Sequence, residues 1–455
     1  MWPNFVVSGD LRREGHAFHP QIKWPDLRVV VDPATQLDQV TARYMQTLRG
    51  RPTGVRIFQE GTPDSAEFQT FHVPEDRHNG DGVVVLRQEH GTGMHGLFSL
   101  ENNVESAYNW AAHFGLNPEE ARARQIFLEV AIALSADVLI TDNAYELVKP
   151  NRRSPFAATP AESLAVIGLH QRLQGQVVVS DAFLDGVLQT SQAEHAQAWS
   201  MMSALRDLFD RTYQEGPEFL DLVRACGDRL KRVLDLRDRL LFGSIHPSKS
   251  NLFGEPEVLV EQIALNLSGM LDALARALNT ALQLGAAPNH CSLGNKRFTR
   301  RIPLAARAIL LDPRNLKLID LVAGIRNTIH HLDLGGGGEG DSRGRTTAQL
   351  VSVDKDTAEK VREVAAILGR EDSWIAHDLP ELSLMLRPVP LTEDLIEHCV
   401  AIVQHLAAVI DWPGEHEQRQ QRPEEDPSDS ARYGPTLEII RRLYGLDPAA
   451  NHSLH

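Results

Sequence analysis

The pattern of apolar residues changes near residue 190, and this change constrains the fold more than any other feature of the chain. Before it, short strand-like runs such as residues 27–31 alternate with helix-like segments, which predicts an α/β domain with a mainly parallel sheet. After it, long segments of helical periodicity follow one another, which predicts an all-α helical bundle. We therefore expect an α/β domain over residues 1–190, a helical domain over 191–412, and a polar, disordered tail with a short terminal helix over 413–455.

Charge and cysteine content narrow the class of protein. The 455 residues carry a formal net charge of −15, which argues against a protein coated in basic surface for non-specific DNA binding but permits a local basic site. The three cysteines are far apart and form no Cys-x-x-Cys pair, so the sequence predicts a reducing compartment and no zinc knuckle. No leader pattern and no uninterrupted run of about 18 apolar residues is present, so we expect a cytoplasmic protein that does not enter a membrane.

The strongest chemical signal is a hexapeptide near the end of an apolar-striped helix. Residues 326–331 read Arg-Asn-Thr-Ile-His-His. RNA can be cut without a metal when a base takes the 2′-hydroxyl proton and a cation holds the phosphate. Histidine suits the first task because its pKa lies near neutrality, and the planar fork of arginine matches phosphate oxygens. On an ideal helix His330 lies about 40° from Arg326 and His331 about 140° from it, so the geometry of a single helix makes His330 the candidate for the base.

An Arg, four intervening residues and a His, with Asn directly after the Arg, resembles the signature of HEPN domains (the higher eukaryotes and prokaryotes nucleotide-binding family). Many of these are metal-independent endoribonucleases. The resemblance covers roughly residues 195–411 and implies Arg326, Asn327 and His331 as catalytic residues, with His330 as the rival that geometry adds. It also implies RNA as substrate, a homodimer whose motif helices face each other, and a bacterial stress, toxin or defence system with a cognate antitoxin or defence partner. The alternative is a HEPN-like scaffold that binds a nucleotide or partner protein without cutting RNA.

A basic segment and a glycine-rich segment flank this helix. Residues 286–304 are irregular and contain the candidate RNA-binding residues Lys296, Arg297, Phe298, Arg300 and Arg301. The cations would track a phosphate backbone and the phenyl ring would stack on a base, although a solvated loop between helices is the simpler interpretation. Residues 335–340 are nearly all glycine and predict a flexible loop.

Three aspartates in the first domain each follow an apolar, strand-like run: Asp32, Asp142 and Asp181. Parallel strands end along one edge of a sheet, where gathered carboxylates could hold Mg²⁺ or Mn²⁺. The segment 133–143, with Thr141 before Asp142, is similar to the last strand of PIN-domain nucleases, and Asp32 would match their first acid. This resemblance implies a PIN-like, metal-dependent nuclease as a second alternative. Glu129 is the alternative third ligand, and a plain turn or helix-cap role for each aspartate also fits.

Overall fold

The structure is a computed structural model that describes residues 27–32, 35–49, 55–58, 68–73, 82–87, 108–109, 111–115, 117–119, 121, 137–143, 146–147, 156–174, 176–180, 185–189, 217–245, 255–331, 334–340, 346–379, 383–409, 439 and 442–443. The chain divides into two compact units: Met1–Thr190 together with Ala431–Leu454, and Ser191–Ser430. Residues 431–454, the last part of the predicted tail, are thus grouped with the first unit.

The first unit is built from short strands and two described helices. These are β1 (Leu27–Val31), α1 (Gln39–Arg49), β2 (Val55–Phe58), β3 (Phe68–Val73), β4 (Gly82–Arg87), β5 (Val138–Ile140), β6 (Phe156–Ala158), α2 (Pro160–Leu173), β7 (Gln176–Ser180) and β8 (Asp185–Gln189), with a 3₁₀ turn at Ala111–Phe114. A four-stranded sheet has the order β2-β1-β5-β6, and its three strand pairs are all parallel. The predicted α/β character with a parallel sheet is confirmed.

Burial explains why these strands carry almost no polar residues. Val29 and Val30 in β1, and Val138 and Ile140 in β5, are fully buried, as expected for parallel strands covered on both faces. Two further pairs of strands, β3-β4 and β7-β8, form separate antiparallel two-stranded sheets. The prediction that the strand before Asp181 joins the parallel sheet is therefore wrong, because that strand, β7, pairs with β8.

The helix α2 begins where its sequence predicts. The spacing Thr159-x-x-Glu162 indicates a capping box, and both of its hydrogen bonds are present. Glu162 N donates to Thr159 Oγ1 over 3.2 Å, and Thr159 N donates to Glu162 Oε2 over 2.8 Å. Nearly the whole of α2 is buried, so the helix forms part of the core of the first unit.

A short segment near the C-terminus packs on α2. Ile439 and Leu443 are 3% and 0% exposed. Arg442 Nη1 lies 2.8 Å from Asp38 Oδ1 at the start of α1, and Arg172 Nη1 donates to the carbonyl oxygen of Leu443. Gly168 permits this packing, because a Cβ at that position would overlap the backbone of Leu443. The spacing of Ile439, Arg442 and Leu443 places all three on one side of a helical turn.

The second unit is mostly helical but contains a sheet. Its elements are α3 (Pro217–Ile245), α4 (Pro256–Ala281), α5 (Lys296–Thr299), α6 (Leu304–Leu311), α7 (Pro313–His331), β9 (Gly335–Gly340), β10 (Thr346–Val353), α8 (Lys355–Leu368), α9 (Glu371–Trp374), β11 (Ile375–Leu379), β12 (Ser383–Leu386) and α10 (Pro388–Val409), with a 3₁₀ turn at Pro288–His290. The four strands form an antiparallel sheet of order β11-β12-β10-β9. The prediction of an all-α bundle is therefore wrong, because a sheet is present. The prediction of long helices is confirmed in the described part of this unit.

Helix α4 lies at the centre of this unit and packs against α3, α7 and α10. By length and composition it is the one helix, among the described residues, that could cross a membrane, but 67% of its most apolar 18-residue window is buried inside the protein. A core helix of this kind passes the same test. In α7 the predicted apolar stripe is confirmed at Leu318, Val322 and Ile325, which are at most 1% exposed.

The glycine-rich run after α7 is a strand, and the prediction of a flexible loop is wrong. β9 pairs with β10 along its length. Three of its glycines have close neighbours: a Cβ at Gly335 would overlap Ser352 Oγ, and one at Gly337 would overlap Met385 Cε. At Gly336 a Cβ would lie 2.6 Å from Glu257 Oε1 on α4. Here glycine supplies space rather than flexibility.

Candidate functional site

The side chain of Arg326 is held in a defined position on α7. Its Nε and Nη2 both donate to Asn327 Oδ1, over 3.3 and 3.2 Å. Its Nη1 donates to Ser268 Oγ on α4 over 3.0 Å. Ser268 is buried, whereas the arginine side chain is 35% exposed, so the guanidinium is fixed from the core side and still reaches solvent. The amide oxygen of Asn327 thus holds one side of the guanidinium.

Arg326 opens onto a cleft of about 520 Å³ between α4, α7 and the segment that begins α5; we call this the α4–α7 cleft. Its charged lining residues are Asp272, Lys296, Lys317, Asp320 and Arg326. Two residues selected on separate grounds from the sequence, Arg326 from the hexapeptide and Lys296 from the basic segment, therefore line the same cleft. A volume of this size is typical of small-ligand sites in proteins.

The charges in the cleft differ in how far they are already neutralised. Lys317 Nζ lies 2.9 Å from Glu363 Oε1 on α8, and this hydrogen bond raises the pKa of Lys317. Asp320 Oδ2 lies 3.2 Å from Lys360 Nζ. Lys296, by contrast, forms no ion pair within the described part of the chain and is exposed. Arg326 has a longer ion pair, 3.9 Å from its Nη1 to Asp272 Oδ2, than Lys317 or Lys360. Lys296 and Arg326 are therefore the two cations best placed to meet an anion that enters the cleft.

The rest of the basic segment divides between surface and core. Arg297, Arg300 and Arg301 are exposed, and Arg301 Nη1 donates to the carbonyl oxygens of residues 284 and 285 after α4. Phe298 is 2% exposed and belongs to the core. The prediction that Phe298 stacks on a base is therefore wrong, because no face of its ring is open to a ligand.

The histidines of the hexapeptide are described only as backbone. His330 and His331 form the last turn of α7, and their side chains lie outside the described residues. The sequence argument for a histidine base thus stays a prediction. Two residues of the site were missed in the sequence, namely Ser268 and Asp272 on α4. Their separation by one helical turn was visible, but nothing in the sequence connects them to Arg326.

The acids of the first unit lie at the edge where β1 and β5 end. Asp32 continues the pairing of β1, and its Oδ2 accepts a hydrogen bond from Thr141 Oγ1 over 2.9 Å. Asp142 lies one residue further along; its N–H donates to Thr35 Oγ1 over 3.0 Å. The parallel register pairs Val31 with Ile140, so Thr141, rather than Asp142, is the neighbour of Asp32. The shared edge is as predicted, but the register sets the two carboxylates one position apart.

A divalent metal would need more ligands than this edge supplies within the described residues. Mg²⁺ prefers six oxygen ligands, several of them water. In the described part of the chain, no group of three His, Cys, Asp or Glu residues is arranged to hold a metal ion. Asp181 and Glu129 lie outside the described residues. The oxygen atoms of Asp32 and Asp142 therefore fit part of a Mg²⁺ or Mn²⁺ site, and the proposed mechanism below makes no use of one.

Comparison of the chain with protein-family models, with curated proteins and with solved structures gives no match. The resemblances to HEPN and PIN domains therefore rest on the residues alone.

Proposed function

We propose that the protein binds RNA in the α4–α7 cleft and cuts it without a metal, with Arg326 holding the phosphate. The observation that carries the proposal is the placement of Arg326: its guanidinium is fixed by Asn327 and Ser268, remains partly exposed, and shares the cleft with Lys296. A positioned guanidinium stabilises charge that develops on a phosphate, because no reorganisation is needed at the moment of reaction. Lys296 would hold a neighbouring phosphate as a second cation.

The reaction needs a base as well as a cation. His331, or His330, would take the proton of a ribose 2′-hydroxyl, whose oxygen then attacks the adjacent phosphorus. The bond from phosphorus to the 5′-oxygen breaks, which leaves a 2′,3′-cyclic phosphate on one product, while the leaving 5′-oxygen takes up a proton. Arg326 would neutralise the charge on the non-bridging oxygens during this step. The HEPN resemblance further suggests a homodimer, a cytoplasmic setting, and an antitoxin or defence partner.

The test is cleavage of mixed RNA in EDTA by wild type and by Arg326→Ala, His331→Ala and His330→Ala. Arg276→Ala is a matched control, since Arg276 is an exposed arginine on α4 that does not line the cleft. We expect cyclic-phosphate products from wild type and the control, and a loss of about 100-fold or more when Arg326 or the base is removed. Circular dichroism would verify that each variant is folded.

Other outcomes would select the alternatives. Cleavage that requires added Mg²⁺ or Mn²⁺ and is unchanged by all three substitutions would place the chemistry at Asp32 and Asp142. RNA binding without cleavage, weakened by Arg326→Ala, would indicate a non-catalytic RNA-binding protein. The scaffold interpretation predicts neither binding nor cleavage, together with a lower free energy of unfolding in Arg326→Ala, because the contacts of Arg326 with Ser268 and Asn327 would then be structural.

A further inference from the structure

A carboxylate lies beside the guanidinium that is proposed to hold the phosphate. Asp272 follows Ser268 by one turn of α4, so both side chains are on one face of the helix. Asp272 Oδ2 lies 3.9 Å from Arg326 Nη1, the same nitrogen that donates to Ser268. The Asp272 side chain is 37% exposed and, within the described residues, has no other ion pair. Its charge therefore faces Arg326 and the cleft.

This arrangement affects any phosphate that approaches. Nε and Nη2 of Arg326 donate to Asn327, so a ligand reaches the guanidinium at or near the nitrogen beside Asp272. A phosphate bound there would share one cation with a carboxylate that lies 3.9 Å from Arg326 Nη1. Two negative charges held beside the same guanidinium repel each other. Lys296 lines the same cleft and, within the described residues, forms no ion pair with Asp272, so its positive charge remains open to a ligand.

We infer that Asp272 is an internal competitor for Arg326, and that it makes the cleft selective for a chain of phosphates over a single phosphate. An isolated phosphate gains one partly neutralised cation, whereas a polynucleotide also engages Lys296. The inference rests on the proposed function, since RNA is the ligand that carries successive phosphates. Asp272 is in this respect a specificity-determining residue rather than a catalytic one.

The experiment uses the full-length protein, its isosteric variant Asp272→Asn, and the control Asp228→Asn. Asp228 is an exposed aspartate on α3 that does not line the cleft. Two probes are titrated at constant ionic strength: a single-stranded RNA oligonucleotide, followed by fluorescence anisotropy, and inorganic phosphate, followed by the rise in melting temperature. We expect Asp272→Asn to bind RNA about fivefold more tightly at low salt. We also expect it to be stabilised by phosphate at concentrations that leave wild type unchanged, and the control to behave as wild type.

A second substitution separates competition from simple repulsion. If Asp272 competes for Arg326, its replacement gains nothing in an Arg326→Ala background, whereas general repulsion of the ligand would persist there. An equal gain in both backgrounds, or weaker binding by Asp272→Asn, would overturn the inference. If no variant binds RNA, the proposed function fails. The phosphate titration still decides the role of Asp272, because equal stabilisation of wild type and Asp272→Asn would refute its competition for Arg326.

Discussion

Replacement of Gly168 by alanine tests how the C-terminal segment is held on the first unit. In an exposed helix this change would stabilise by about 1 kcal/mol, because alanine is the better helix former. Here the new Cβ would overlap the backbone of Leu443, a group that cannot move aside without leaving its site. The steric effect and the propensity effect thus have opposite signs, and the sign of the measured change decides between them.

The magnitude follows from what the segment buries. Ile439 and Leu443 are 3% and 0% exposed, and two such side chains contribute about 3 to 6 kcal/mol together, as an upper estimate. The ion pair of Arg442 with Asp38 adds about 1 kcal/mol or less. Because the segment can dissociate instead of tolerating the overlap, Gly168→Ala cannot lower the free energy of unfolding by more than the segment contributes. That upper limit is the total above minus the entropic cost of ordering the segment.

Hydrogen exchange of the amides at 439–443, and tryptic cleavage after Arg442 followed by mass spectrometry, report the docked state directly. We expect both to become fast in Gly168→Ala and in Leu443→Ala, and the free energy of unfolding to fall. Gly324→Ala in α7 is the control, because a Cβ there would lie 3.2 Å from Lys360 Cδ on a flexible side chain. A Gly168→Ala protein that is more stable than wild type and equally protected at its C-terminus would refute the reasoning.

Two further predictions concern the second unit. Asp354 caps α8, and although its burial raises the pKa, hydrogen bonds from the backbone and hydroxyl of Thr357 outweigh burial and hold the pKa below 3.8. The carboxylate therefore stabilises the folded state fully above pH 3.8, and this contribution is lost as the pH falls through the lower pKa of the folded protein. Asp354→Ala should lower the free energy of unfolding by about 1 kcal/mol at neutral pH. The difference from wild type should shrink when the urea titration is repeated in acid. The buried indole N–H of Trp374 donates to Asp394 Oδ2 over 2.7 Å. Asp394→Ala should therefore lower the free energy of unfolding by about 1–3 kcal/mol in urea titrations and alter the near-ultraviolet circular dichroism. An unchanged urea midpoint would show that the N–H finds another acceptor.

The parts of the fold that could be predicted are those set by local pattern. The stripe of Leu318, Val322 and Ile325 follows from helical periodicity, and the capping box of Thr159 and Glu162 follows from their spacing. Both depend on residues within a few positions of each other. The same locality explains why β1 and β5 could be recognised as buried strands.

Properties set by distant residues could not be predicted. The glycines of β9 indicate flexibility when read alone, and only the position of Glu257 on α4 and of Met385 on β12 shows that they provide space for neighbouring atoms. Ser268 and Asp272 meet Arg326 because α4 packs on α7, and no sequence motif records that packing. Phe298 was misassigned for the same reason, since burial of a ring in a basic segment depends on the surrounding helices.

The two candidate sites differ in what their charged groups are already bound to, and this difference favours the second unit as the place for phosphate chemistry. Asp32 is buried and accepts from Thr141, and the register sets Asp142 one position away, so a metal would have to compete with existing hydrogen bonds and draw further ligands from elsewhere. Arg326 is fixed by hydrogen bonds to two neutral groups and shares part of its charge with Asp272, and Lys296 forms no ion pair within the described residues. Among the described residues, an anion that approaches Arg326 therefore competes with Asp272. That is why cleavage in EDTA is the more informative assay than a metal titration, and why Asp272→Asn is the substitution we expect to increase binding.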